Sequence, residues 1–160
     1  MEPTWNETIA NKIVAFYLDN LGQGENRPGS NLGKLPDRCY RCVHGQHSNP
    51  ELDTTANREW CAECYCLACV TAGIANGPKT ASTSHLYLWG QLNGKSVQVP
   101  RMGDAGLVLA PNSPTGFVHT VCVEHNFGDG MIHAVAGNEG NQVKRSLRPI
   151  ETMRYMRPYG

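Results

Sequence analysis

The chain lacks an excess of either charge: 14 Lys and Arg offset 14 Asp and Glu. That neutrality argues against general nucleic-acid binding, which depends on surplus cations. It argues equally against a polybasic membrane-surface anchor. Long apolar runs are also missing. None approaches the roughly 20 residues that span a bilayer, so no membrane insertion is expected. The opening Met1-Glu2-Pro3-Thr4-Trp5 is polar and does not read as a secretory signal. Synthesis in the cytoplasm without a signal peptide is therefore the expectation. Internal repeats, low-complexity tracts and linkers are absent as well, so 1–160 reads as a single domain. What is present is 17 Gly and 10 Pro, which point to a loop-rich fold instead of a helical bundle.

Seven cysteines stand out, and six of them fall between Cys39 and Cys69. An odd count without a signal sequence favours metal binding or catalysis over a disulfide framework. Basic residues gather near the end, at Lys144, Arg145, Arg148, Arg154 and Arg157. They read as a solvated strand face.

Trp5, Ile9, Ile13, Phe16 and Tyr17 recur at helical spacing and predict an amphipathic helix over 4–21. Thr4 and Glu7 form its capping box and Gly22 its stop. Residues 22–37, dense in Gly, Pro and Asn, read as a structured loop. Residues 38–58 show little periodicity and read as an irregular loop. Residues 59–75 predict a second helix of mostly small side chains, ended by Gly77-Pro78. Residues 84–92 predict a short third helix capped by Ser84. After Pro100 come short strand-like runs over 106–110, 117–124, 131–136 and 142–147, with a last one over 152–156. Gly128-Asp129-Gly130 is the clearest hairpin turn. Helices first and strands after give an α+β class.

Cys61 opens the second helix. Unpaired N–H groups and the positive helix end favour a thiolate at such a position, which suits a nucleophile. A small buried hydrophobe is the commoner role of a free cysteine. Alternation puts Phe117, His119, Val121 and Val123 on one strand face, pointing at the core or the packed helix. With Cys61 at hand, His119 is the natural base. Asn138, in Gly137-Asn138-Glu139-Gly140, closes the next strand and can fix the imidazole tautomer.

Several pieces then fall into a known order. They are Gly24-Glu25-Asn26-Arg27-Pro28-Gly29-Ser30-Asn31-Leu32-Gly33 after the first helix, Trp60-Cys61-Ala62, and Pro100-Arg101-Met102-Gly103-Asp104. Val118-His119-Thr120-Val121 and Val135-Ala136-Gly137-Asn138 follow, with Val143 and Arg145 after them. This ordered set resembles the CHAP group of papain-like peptidoglycan hydrolases, cysteine- and histidine-dependent amidases and peptidases such as those of phage endolysins. The resemblance covers roughly residues 8–148. It implies a papain-like (NlpC/CHAP-type) fold, with N-terminal helices packed on an antiparallel sheet. It implies a catalytic Cys61, His119 and Asn138, and a bacteriolytic enzyme acting on the cell wall. The bond cut is an amide, either N-acetylmuramoyl-L-alanine or one within the peptide stem. Catalysis of this type needs no cofactor, and a monomer acting on bacterial peptidoglycan is expected. Members often carry Glu where this chain has Ala136, which leaves the orienting role to Asn138, with Glu139 second. Aromatic side chains at Tyr65, Tyr87 and Trp89, with His85, are the candidates to line a substrate groove.

The remaining cysteines allow a metal. Cys39-x-x-Cys42 and Cys61-x-x-Cys64 have the spacing of a four-cysteine zinc site. That arrangement consumes Cys61 and makes the protein a zinc-stabilised binding module. Cys66 and Cys69 offer a second pairing: a structural zinc on Cys39, Cys42, Cys66 and Cys69 leaves Cys61 free, and His44 or His47 can replace one ligand. The simpler reading makes Cys64, Cys66 and Cys69 packing residues, Cys39 and Cys42 a loop pair or disulfide, and Cys122 packing. Trp60-Cys61-Ala62-Glu63-Cys64 also looks like a thiol-disulfide oxidoreductase motif, which requires a preceding strand that this sequence does not show.

Overall fold

A computed structural model of the protein describes residues 1–53, 59–113 and 116–160. Helix α1 spans Glu7–Asp19 and buries Ala10, Ile13, Val14, Phe16 and Tyr17 along one stripe. Its N-cap is Asn6, whose side chain accepts from the Ile9 N–H, so Thr4 does not serve. Asn20 ends the helix two residues before Gly22.

The expected loops of 22–37 and 38–58 contain a helix. Helix α2 runs Lys34–His44 and buries Leu35, Pro36, Cys39 and Tyr40. Those positions are one turn apart in pairs, so the stripe is helical although proline and cysteine supply half of it. Pro36 falls within the first turn, where a missing N–H costs nothing. Residues 54–58 of that expected loop lie outside the described residues.

Helix α3 spans Cys61–Thr71, shorter at both ends than the sequence indicates. Every residue from Cys61 to Cys66 is buried. A helix enclosed on all sides needs side chains that let neighbours approach closely, which accounts for its alanines and cysteines. Helix α4 spans Thr83–Leu92 and is capped by Ser82, whose hydroxyl accepts from the His85 N–H.

The strands are β1 (Ser96–Val97), β2 (Ala105–Leu109), β3 (Phe117–Asn126), β4 (Met131–Glu139), β5 (Gln142–Pro149) and β6 (Met153–Met156). They form one six-stranded sheet in the order β1-β6-β2-β3-β4-β5, with every pairing antiparallel. The class is α+β, as the order of patterns predicts. The short strand β1 was not foreseen. Strand β4 also runs on to Glu139, past the expected run of 131–136.

Two apolar clusters flank the sheet. One joins the helices to Ala105, Leu107, Cys122 and Val135. The other holds Val121, Val123, Ile132, Ala134 and Ala136 with Met153 and Tyr155. Alternation along the strands assigns these sets to opposite faces. Cys122 is therefore a helix-side core residue.

Gly137 lets α3 press against β4. A Cβ built there would lie 2.7 Å from Trp60 and 2.8 Å from Cys64. Gly137→Ala is expected to cost about 1–3 kcal/mol through overpacking. Thermal unfolding checks it.

The basic cluster near the end is solvated only in part: Lys144, Arg145 and Arg154 are exposed, while Arg148 is half-buried. Arg157 is buried and donates to both oxygens of Asp104 at 2.8 Å. Arg148 donates to Glu139 and Arg145 to Glu124, each at 2.8 Å. The fold places these three guanidinium groups within reach of carboxylates on other segments, which spacing along the chain does not reveal. Among the described residues no helix is long and apolar enough to cross a membrane.

Candidate active site

Cys61 is the first residue of α3, and its backbone N–H belongs to the first turn, where helix donors lack intrahelical partners. The preceding Trp60 is fully buried, and its indole N–H donates to Glu25 Oε1 at 3.2 Å. Glu25 reaches it from the loop after α1, which docks on the β4–β5 turn through a Gly24–Gln142 bridge. A Cβ at Gly24 would lie 2.2 Å from the Asn141 carbonyl oxygen, so only glycine permits this docking. The Gly-Glu-Asn segment thus fixes the entry to helix α3. Cys61 itself is 3% exposed. It borders a cavity of about 210 Å³ shared with Glu59, Ser82, Thr83, Phe117 and Val118.

His119 lies opposite on β3. Its acidity is set by three influences: burial favours the neutral ring, while the Cys61 side chain and the Glu139 carboxylate favour the imidazolium. The charged partners win, and its pKa is pushed up to about 9. Strict alternation would have grouped His119 with Val121 and Val123, but those two pack in the far cluster. Pairing is regular from Val121 to His119, and the register shifts only beyond it, between Val108 and Leu109.

The group facing the imidazole is Glu139, not Asn138. Glu139 Oε2 lies 3.7 Å from His119 Nε2, and neither atom has a hydrogen-bond partner among the described residues. Two buried polar atoms aimed at each other at that range are a contact waiting to tighten, as resting catalytic hydrogen bonds often are. Burial works against the Glu139 anion, yet His119 and Arg148 bring its pKa below the usual value. Arg148 holds the other oxygen, Oε1, at 2.8 Å and is itself oriented by a bond to Ser146 Oγ at 2.9 Å. Asn138 takes φ 54° in the irregular stretch between Ala136 and Glu139. Its role is to turn the strand so that Glu139 presents to His119. The register shift between Ala136 and Glu139 sets position 139 opposite Gln142, so alternation from Val135 and Gly137 does not carry to it. Arg148 had no sequence signal, because its partner lies across a hairpin.

The chain matches no family model and no curated protein. Among solved structures, it is similar to the crystal structure of Ly7917 over 93% of its length, at 15% identity and a TM-score of 0.47. The chain spans 62% of the length of that protein.

The expected zinc site is not formed. Among the described residues no group of three or more His, Cys, Asp or Glu side chains is placed to hold a metal. This applies to Cys39, Cys42, Cys66 and Cys69 and equally to the set using Cys61 and Cys64. All seven cysteines are free, including the Cys39 and Cys42 pair. Helix geometry explains the separation. Cys39 packs against Cys64, and burial followed by that neighbour holds its thiol well above its ordinary pKa. The Cys66 sulfur instead exchanges hydrogen bonds with the Thr80 backbone at 3.5 Å, and burial pushes its thiol up to about 12. Cys69 is enclosed beside Tyr65 and Cys122. His44 lies 3.6 Å from Glu63 and His47 is exposed, so neither completes a set. For the dithiol motif, the element preceding α3 among the described residues is a 3₁₀ turn at Pro50–Leu52, not a strand.

Of the aromatic groove candidates, Tyr65 is fully buried and donates to the Gly103 carbonyl at 2.8 Å. Tyr87 stacks on Phe117 with ring centroids 4.8 Å apart, at the rim of the Cys61 cavity.

Proposed function

We propose that the protein is a cysteine hydrolase of papain-like arrangement that cuts an amide bond in bacterial peptidoglycan. The observation that carries the chemistry is one constellation. Cys61 heads a buried helix, His119 is poised beside it, and Glu139, clamped by Arg148, backs the imidazole. The substrate class is supported by the ordered sequence resemblance to cell-wall hydrolases.

The steps follow from these groups. His119 takes the Cys61 proton, and the thiolate attacks the carbonyl carbon. The developing oxyanion meets the free Cys61 backbone N–H at the helix end. The imidazolium protonates the leaving amine, and the acyl group stays on sulfur as a thioester. His119 then deprotonates a water, which releases the carboxylic acid and restores the thiol. Glu139 orients the ring and stabilises its charged form.

Incubation with purified peptidoglycan tests the reading. New amino groups without new reducing sugar ends are expected. Reducing ends without amino groups, or no release from any wall type, contradict it.

The His119 pKa sets the pH profile. The working pair needs the imidazolium, so turnover persists to about pH 9 and falls above it. Glu139→Gln removes the anion that favours protonation. It is expected to move the alkaline limit about one pH unit lower and to slow turnover by about 10- to 100-fold. A pH–rate profile of both proteins checks the direction.

A further inference from the structure

Helices α2 and α3 border a cavity of about 370 Å³ that has no part in the Cys61 site. Arg38, Arg41 and Cys42 line it from α2, Leu67 and Val70 from α3, and Lys79 from the segment after α3. None of these residues lines the Cys61 cavity.

The charged lining is of one sign. Arg38, Arg41 and Lys79 supply three cations, and no carboxylate lines the cavity. In a chain whose 14 cations balance 14 carboxylates, that is a local excess. The carboxylates of the two helices are engaged elsewhere. Asp37 accepts from the Gly33 N–H at 3.2 Å. Glu63 is fully buried, 3.6 Å from His44. The side chains of Arg38 and Lys79 have no hydrogen-bond or ion-pair partner among the described residues. Arg41 Nε donates to the Ser48 carbonyl at 3.4 Å, which anchors the guanidinium and leaves its two terminal nitrogens unbonded among the described residues.

This arrangement costs stability while the cavity holds no anion. Arg38 and Arg41 lie three residues apart on α2, so they are surface neighbours, and like charges there repel. Lys79 brings a third positive charge from a different segment, close enough to favour the Cys42 thiolate against burial. An anion seated among the three relieves the repulsion. A carboxylate offers two oxygens along one edge and cancels one charge. A terminal phosphate offers three oxygens in different directions and cancels about 1.5 to 2 charges. The second geometry suits cations arriving from two segments.

We propose that this cavity binds a ligand through a terminal phosphate or diphosphate group, held by Arg38, Arg41 and Lys79. Leu67 and Val70 form the apolar wall beside that group. The site stands independently of the hydrolase reading.

Inorganic pyrophosphate is titrated calorimetrically into the full chain at low ionic strength, and into Arg38→Gln and Lys79→Gln. Both side chains are exposed, so these variants fold. Saturable binding is expected, weakened at least about tenfold in each variant and weakened further by salt. Bound pyrophosphate is expected to slow iodoacetamide labelling of Cys42 and to leave that of Cys61 unchanged. Citrate, with three carboxylates, is expected to bind more weakly. Vesicles of phosphatidylcholine with and without phosphatidic acid separate the sources of the phosphate. Co-sedimentation only with phosphatidic acid, lost in both variants, assigns a lipid headgroup, and its absence assigns a soluble ligand. No saturable binding of pyrophosphate, or binding indifferent to both substitutions, overturns the site. Protection of Cys61 in place of Cys42 overturns its location, and citrate bound as tightly as pyrophosphate overturns the phosphate assignment.

Discussion

Cys61→Ala is expected to fold as the wild type does and to lose at least about 10³-fold of amide hydrolysis. The change removes one sulfur from the first turn of α3, and alanine is the best helix former. Trp60 keeps its bond to Glu25, and the Gly137 contact is untouched. Folding therefore survives, and circular dichroism with thermal unfolding shows it. Activity does not survive, because no other cysteine is offered to His119. Cys64, one turn on, is fully buried against β4. Cys61→Ser retains a hydrogen-bonding group but a far poorer nucleophile, so its activity also falls steeply. His119→Ala is expected to match Cys61→Ala closely, since groups acting as one unit are not additive.

Asp104→Asn is expected to lower stability by about 3–5 kcal/mol. Asp104 is fully buried at the start of β2, where it accepts two bonds from Arg157 and one from the Arg101 N–H at 2.8 Å. Arg157 also donates to the Pro3 carbonyl at 2.6 Å. One ion pair thus ties both chain ends to the sheet. Neutralising the carboxylate strands a buried guanidinium, which is the costly half of such a pair. For a chain of this size the loss corresponds to a melting temperature about 10 °C lower. Replacing both partners, as Asp104→Leu with Arg157→Met, is expected to recover much of it, because two apolar groups bury without an unpaired charge. A thermal melt of the single and double variants decides between an ion pair that stabilises and one that merely must not be half removed.

Much of this was legible in the sequence, for identifiable reasons. Helix α1 and strands β2 to β6 carry side chains whose periodicity is dominated by their own burial, so pattern and structure agree. Helix α2 was missed because Pro36 and Cys39 supply half its buried stripe, and neither reads as a helical core residue. The helix α3 cysteines suggested ligation, whereas their burial on every side makes them small packing residues. At the site, Cys61 and His119 were legible from position and order. The face of His119 was not, because Val121 and Val123, which alternation groups with it, pack in the cluster away from the helices. Asn138 was assigned the orienting role by position along the chain. The backbone at φ 54° instead hands that role to its neighbour Glu139. Arg148 and Arg157 act through pairings set by sheet order, which no local spacing encodes.

Alkylation of the native protein with a limiting amount of iodoacetamide, mapped by peptide mass spectrometry, tests the central claim most directly. Exposure alone favours Cys42, which is half-buried, over Cys61 at 3%. Burial raises the pKa of the Cys42 thiol, against the pull of Lys79. The account predicts that Cys61 is modified first, that amide hydrolysis falls in step with its modification, and that Glu139→Gln slows the labelling. Modification of Cys42 ahead of Cys61, or hydrolysis that persists once Cys61 is fully alkylated, contradicts it.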